Sequence, residues 1–162
     1  MLSRIAPQTR GLRRFARSER GTQLVELAVV LPLLLVMFGA AAEFGRFFYT
    51  YQTLTKATRV GARYLTTESP ADDSDEAAAK LVVYGNTAGA GEPVIKGLGI
   101  GNVGVSRFYN NPAQAERVTV SIQGYTYEPL FDLGALVGNK KLSLKVELKP
   151  STTMRVLTTI PS

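Results

Sequence analysis

The longest apolar run of the chain lies near its N-terminus, over residues 24–42. It holds nineteen residues with a single charge, Glu26. As a helix rising about 1.5 Å per residue, it would span roughly the 30 Å of a hydrocarbon core. This pattern predicts one transmembrane helix. Its last residues are small and would let a second helix approach closely: Gly39, Ala40, Ala41 and Ala42.

Beyond the apolar run, residues 43–68 have the pattern of an amphipathic helix. We expect its main stripe to pack on the chain's own domain, with Gly61 at a helix packing contact. Glu43 and Arg46, three residues apart, are expected to form an ion pair where the helix leaves the membrane. The stripe recurs at steps of three and four: Phe44, Phe48, Tyr51, Thr55, Thr58, Ala62 and Leu65.

The rest of the chain combines one more helical pattern with several strand patterns. Acidic residues followed by good helix formers predict a second, short helix beginning near Asp72. The glycine-rich residues 85–104 predict an exposed loop. Alternating and β-branched residues predict strands over residues 103–109, 117–127 and 142–148, and a fourth over 152–159. The predicted fold class is therefore α+β: a long N-terminal helix packed on a small antiparallel sheet of three or four strands.

Positive charge is concentrated before the apolar run. The first twenty residues hold six arginines and one glutamate, a net charge of +5 out of +6 for the whole chain. By the positive-inside rule, the N-terminus stays in the cytoplasm and the part after residue 43 is exported. We therefore expect a basic cytoplasmic leader (1–21), a long helix (22–68) and an exported α+β domain (69–162). The nearly neutral exported part argues against a nucleic-acid partner.

The composition excludes several kinds of site. The chain has no cysteine and no histidine, which excludes disulfides, the usual zinc sites and serine–histidine catalysis. The acids at residues 72–76 lack the glycine and final glutamate of an EF-hand loop. The G-x-G-x-x-G pattern at residues 99–104 is not followed by the helix that a phosphate site requires. We expect no metal, cofactor or small-molecule substrate, and a function that is not enzymatic; an exported enzyme is the alternative that these absences disfavour.

Glu26 needs an explanation, because an acid at mid-membrane costs about 2.5–3.5 kcal/mol. It could simply reach back to the lipid headgroups. Alternatively, cleavage after Gly21 would make Thr22 the new N-terminus, and the Glu26 carboxylate would then lie one helical turn from the new ammonium group. A competing cut after Ala42, of the signal-peptidase kind, would instead release a soluble domain.

Basic residues before a glycine, a glutamate five positions after it and an apolar helix together resemble the processing signature of type IV prepilins. More specifically, residues 21–65 resemble the N-terminal module of TadE-like pseudopilins, minor components of Tad (tight-adherence, Flp-type) pilus systems. The matching pieces are Val25-Glu26, Leu31-Pro32-Leu33, Glu43-Phe44-Gly45-Arg46 and Gly61-Ala62-Arg63-Tyr64. A looser resemblance continues in residues 118–122, 125–130 and 154–155.

This resemblance implies a pilin-like fold and a minor pseudopilin that takes part in pilus biogenesis and surface adherence. It implies cleavage after Gly21 by a prepilin peptidase, with Glu26 setting the register against the Thr22 ammonium group of an adjacent subunit. The implied partners are the membrane, the peptidase, other pilins or pseudopilins and the inner-membrane assembly platform. The implied location is the bacterial inner membrane, in a single pass, with incorporation into a surface pilus left open. The alternative is an uncleaved single-pass anchor that displays an accessory or adhesion module.

Overall fold

The structure is a computed structural model that describes residues 19–68, 72–111, 114–132, 134–135, 138–139, 141 and 143–156. Its elements are α1 (Glu19–Leu65), α2 (Asp72–Tyr84), a 3₁₀ helix (Ile100–Asn102), β1 (Val103–Asn111), β2 (Gln114–Ile122), β3 (Tyr125–Thr126), β4 (Glu147–Leu148) and β5 (Ser151–Arg155). The chain divides into two compact units, Met1–Ala42 and Glu43–Ser162. Most of the predicted leader (1–18) and the end of the predicted fourth strand (157–159) lie outside the described residues.

The first unit carries the apolar part of α1. Its large apolar side chains are exposed from Leu24 to Phe38, and Phe38 itself is 76% exposed. By length and composition the helix can cross a membrane, as the sequence predicts. It runs through Ala40, Ala41 and Ala42 without interruption. This part of α1 therefore offers an apolar surface to lipid or to neighbouring helices.

In the second unit, α1 buries a different stripe from the one that the sequence predicts. Phe44, Phe48 and Tyr51 are exposed, so the prediction that they pack on the chain's own domain is wrong. The buried stripe begins one residue earlier, and both stripes run into Thr58 because both advance by three or four residues. It includes polar residues that a search for apolar periodicity passes over. Its buried members are Glu43, Thr50, Leu54, Thr58, Gly61, Ala62 and Leu65.

Helix α2 completes the helical side of the core. It begins at Asp72, as predicted, and ends before Gly85, whose φ of +73° suits a helix C-terminus. The Gly85 N–H donates to the Leu81 carbonyl at 2.9 Å. The two helices and the main sheet share one apolar core: Leu54, Ala62, Leu65, Ala78, Val82, Val83, Leu98, Val118, Val120, Ile122, Tyr125, Tyr127 and Leu148.

The main sheet is antiparallel, in the order β1-β2-β5. Side chains alternate along β2, which places Val118, Val120 and Ile122 on the core face. The hydroxyls of Thr58 on α1 and Thr152 on β5 lie 2.9 Å apart and join the helix to the sheet. These elements confirm the predicted α+β class.

Two predicted strands are shorter than expected. Residues 117–127 do not form one strand, because Gly124, with φ +69°, separates β2 from β3. β3 pairs with β4 in a separate two-stranded sheet, with Tyr125 opposite Leu148. Within residues 143–148, only Glu147–Leu148 is a strand. The ladder ends early because β3 soon reaches Pro129, which has no N–H to donate.

Candidate functional site

A buried carboxylate stands at the first residue of the second unit. Glu43 is 3% exposed, and it accepts three hydrogen bonds from one short segment. The Tyr127 hydroxyl donates to Oε1 at 2.5 Å, the Leu130 N–H donates to Oε1 at 3.2 Å and the Phe131 N–H donates to Oε2 at 3.2 Å. A buried charge is stable only when it is paired and hydrogen-bonded in this way. Together with Arg46, these residues form what we call the Glu43 cluster.

Arg46 supplies the positive charge of the Glu43 cluster. Its Nη1 lies 3.9 Å from Glu43 Oε1, so the two side chains are near each other as the three-residue spacing predicts. The guanidinium carbon also lies 5.8 Å from the centre of the Tyr127 ring, within the range of a cation–π contact. Phe47 packs edge-on against the same ring, with centroids 5.3 Å apart. The cluster therefore fixes the part of α1 that begins at Glu43 to residues 127–131.

The environment of the Glu43 cluster perturbs its phenol. Burial, then the hydrogen bond to Glu43 and the negative charge of that residue, raise the pKa of Tyr127 to about 12. The nearby Arg46 opposes this shift. Tyr127 therefore stays protonated and keeps donating to Glu43 throughout the physiological pH range.

A cavity of about 750 Å³ opens beside the Glu43 cluster. Its lining combines two cationic side chains, one acid and three tyrosines. The Tyr125 hydroxyl donates to the Lys96 carbonyl at 3.3 Å and so closes one side. Burial raises the pKa of Tyr125 as well. The lining residues are Arg46, Tyr49, Thr50, Ile95, Lys96, Gly97, Gly124, Tyr125, Thr126, Tyr127, Glu128, Pro129 and Leu130.

Gly61 lies at a close contact between α1 and α2. A Cβ built on Gly61 would come 2.5 Å from Val82 Cγ2 and 3.5 Å from the Ala78 carbonyl oxygen. Such a close approach needs a residue without a side chain. In contrast, a Cβ built on Gly45, in the same helix, meets nothing within 4 Å.

The residues predicted for processing and register lie at the start of α1. Gly21, Thr22 and Glu26 all lie in α1, so the Gly21–Thr22 peptide bond is helical. Thr22 and Glu26 are exposed, and the described part of the chain contains no ion pair to Glu26. The small residues farther along α1 divide between half-buried positions, Gly39 and Ala40, and exposed ones, Ala41 and Ala42.

The other acidic and glycine-rich motifs have structural partners. Asp75 pairs with Arg107 of β1 at 2.5 Å, and Glu76 pairs with Lys80 one turn along α2 at 2.8 Å. Within the described residues, no three His, Cys, Asp or Glu side chains are grouped as metal ligands. The glycine pattern at residues 99–104 runs into β1, and the Gly99 N–H donates to Asn102 Oδ1 at 2.9 Å.

The fold and the site define a class of protein: an α+β domain led by a helix that can anchor it in a membrane. The helical part has a family match, because residues 21–63 match the family model described as TadE-like protein. This match confirms the predicted resemblance over that segment, just over a quarter of the chain, and indicates a protein associated with Tad pili. The TadE-like family is not known for enzymatic activity. Comparison with curated proteins and with solved structures returns no match.

The sequence pattern did not indicate that Tyr127, Leu130 and Phe131 bind Glu43. A partial signal was present, because residues 43–46 and 125–130 are two of the motifs on which the resemblance depends. The structure brings these two motifs into contact, although they are separated by almost eighty residues in the chain. Tertiary packing brings motifs this far apart in the sequence together, and the hydrophobic periodicity of a sequence does not show such contacts.

Proposed function

We propose that this chain is a minor pseudopilin of a Tad pilus assembly system. In this proposal residues 24–42 cross the bacterial inner membrane, the N-terminus lies in the cytoplasm and residues 43–162 are exported. The observation that carries the proposal is the match of residues 21–63 to the TadE-like family, in a helix whose apolar side chains are exposed. The six arginines before the apolar run support the orientation.

The proposed maturation step is cleavage of the Gly21–Thr22 bond by a prepilin peptidase. This bond is helical in the described part of α1, so the peptidase would have to unwind the helix locally to reach it. A second candidate function, an uncleaved single-pass anchor for an accessory or adhesion module, is favoured by the helical state of the same bond, because an intact helix protects its peptide groups. The N-terminal residue of the mature protein distinguishes the two.

Glu26 is the proposed register device of the assembled pilus. Its carboxylate is exposed in the single chain, and packing against neighbouring helices would bury it. A buried carboxylate costs several kcal/mol unless a cation pairs with it. The Thr22 ammonium group of an adjacent processed subunit is a suitable cation, so only a correctly staggered neighbour removes the cost.

The surfaces proposed for assembly are the exposed apolar faces of α1. Gly39, Ala40, Ala41 and Ala42 would let a neighbouring helix approach closely in the bilayer or in the pilus. The exposed aromatic side chains of Phe44, Phe48 and Tyr51 form a second proposed surface, in the half that begins at Glu43. Other pilins or pseudopilins and the inner-membrane assembly platform are the proposed partners, and surface adherence is the proposed outcome.

The experiment that tests the register role replaces Glu26 in the native host and scores membrane insertion and surface pili separately. E26Q is nearly isosteric and should insert normally but reduce piliation. E19Q is the matched control, because it removes an acid from the leader that cleavage discards; it should give normal piliation. Normal piliation in E26Q, or an equal loss in E19Q, would show that Glu26 has no register role.

A further inference from the structure

Two large apolar side chains stand exposed on the loop that follows β3. Leu130 is 75% exposed and Phe131 is 57% exposed. The carboxylate of the next residue, Asp132, accepts hydrogen bonds from within the chain. Asp132 Oδ1 accepts the Gly134 N–H at 2.9 Å, and Oδ2 accepts the Ser143 hydroxyl at 3.0 Å. The loop therefore presents an apolar tip without an adjacent free acid.

The Glu43 cluster fixes the position of this tip along α1. The backbone N–H groups of Leu130 and Phe131 each lie 3.2 Å from a carboxylate oxygen of Glu43. Glu43 directly follows Ala42, the last residue of an apolar run that, as a helix rising about 1.5 Å per residue, spans roughly a hydrocarbon core. The tip therefore lies beside Glu43, the residue that directly follows the apolar run.

The surroundings of the tip suit a lipid headgroup region. Arg46, 44% exposed along its side chain, lies in the next turn of α1. Arginine can lay its carbon chain on apolar surface and keep its charge among lipid phosphates. An exposed apolar pair beside a partly exposed arginine, next to the residue that follows the apolar run, favours lipid as the occupant.

We propose that Leu130 and Phe131 insert into the exported-side leaflet of the same membrane that α1 crosses. The insertion adds a second attachment of the chain to the bilayer, besides α1. This inference rests on the membrane anchoring in the proposed function, but not on cleavage or on pilus assembly. A protein neighbour covering the tip is the competing occupant, and the experiment separates it from lipid.

The chain has no tryptophan, so a single substitution introduces a unique fluorophore. The full chain carrying F131W is reconstituted into phosphatidylcholine–phosphatidylglycerol vesicles that contain lipids brominated near the headgroup. We expect these lipids to quench most of the F131W emission, and aqueous iodide to quench little of it.

F108W is the matched control, because Phe108 is 58% exposed but lies far from Glu43. Its neighbour Arg107 binds Asp75 in the first turn of α2, a helix that packs against Gly61. Gly61 is roughly 27 Å along α1 from Glu43 at 1.5 Å per residue. F108W should therefore be quenched by iodide and unaffected by brominated lipid.

L34W, in the middle of the apolar run, tests the anchoring itself with lipids brominated deep in the acyl chains. Quenching of L34W without quenching of F131W would overturn the loop inference and leave the anchoring intact. In that case accessibility of F131W to iodide would mean a solvent-exposed tip, and shielding from iodide would mean a protein neighbour. No quenching of L34W would overturn the anchoring on which both proposals depend.

Discussion

The hydrogen bond between Tyr127 and Glu43 should be the strongest single polar contact between α1 and the C-terminal part of the domain. Tyr127→Phe removes the hydroxyl that donates to Glu43 Oε1 at 2.5 Å and keeps the ring that packs against Phe47. A hydrogen bond to a charged group contributes about 1.5–3 kcal/mol to stability. Because Glu43 keeps its two backbone N–H donors, we expect Y127F to lower the free energy of unfolding by about 1.5–3 kcal/mol.

The assay is urea unfolding of the full chain in detergent micelles, followed by near-ultraviolet circular dichroism. Tyr49→Phe is the matched control, because Tyr49 is exposed and its hydroxyl donates no hydrogen bond among the described contacts. Surface substitutions of this kind usually change stability by less than about 0.5 kcal/mol. An equal effect of Y127F and Y49F would refute the view that the Glu43 cluster fastens the helix to the domain.

Two further predictions concern packing and pH. Gly61→Ala should leave the protein about 1–3 kcal/mol less stable than Gly45→Ala, because both gain helix propensity but only the first meets Val82 at 2.5 Å; equal urea midpoints would contradict the packing at Gly61. The second concerns Tyr127, whose pKa is raised in the folded state, so its contribution to stability is complete below its ordinary pKa of about 10 and is lost as the pH rises towards 12. Absorbance titration should show one tyrosine ionising near pH 12, and ionisation of every tyrosine near pH 10 in the folded chain would contradict it.

The helices could be predicted from the sequence because their signals are local. Nineteen nearly uncharged residues, continued by steps of three and four, specify α1, and acids before Ala77 specify the start of α2. The alternation that ends in Val118, Val120 and Ile122 likewise specifies the central strand and its core face. These elements can therefore be predicted without knowing which residues they pack against.

The prediction of the buried stripe after residue 43 of α1 failed because it was based on the spacing of apolar residues alone. The structure buries Glu43 and Thr50 and exposes Phe44, Phe48 and Tyr51. A buried carboxylate is stable here only because residues 127–131 supply three donors. Those donors are visible only in the folded chain, so the true stripe could not be predicted from the pattern alone.

The candidate site was predictable only in part, because only some of its residues are close together in the sequence. Glu43 and Arg46 were singled out by their spacing, and they lie 3.9 Å apart. The three hydrogen-bond donors to Glu43 come from residues 127–131, which follow the turn at Gly124, where φ is +69°. The strand pattern over residues 117–127 did not predict that the strand is interrupted at Gly124.

The central claim, that the chain is a processed pseudopilin, is tested most directly by the N-terminal residue and intact mass of the protein purified from its native host's membranes. The account predicts a mature chain that begins at Thr22. A chain that still begins at Met1 would contradict processing and favour the uncleaved anchor, and a chain that begins at Glu43 would contradict membrane anchoring altogether.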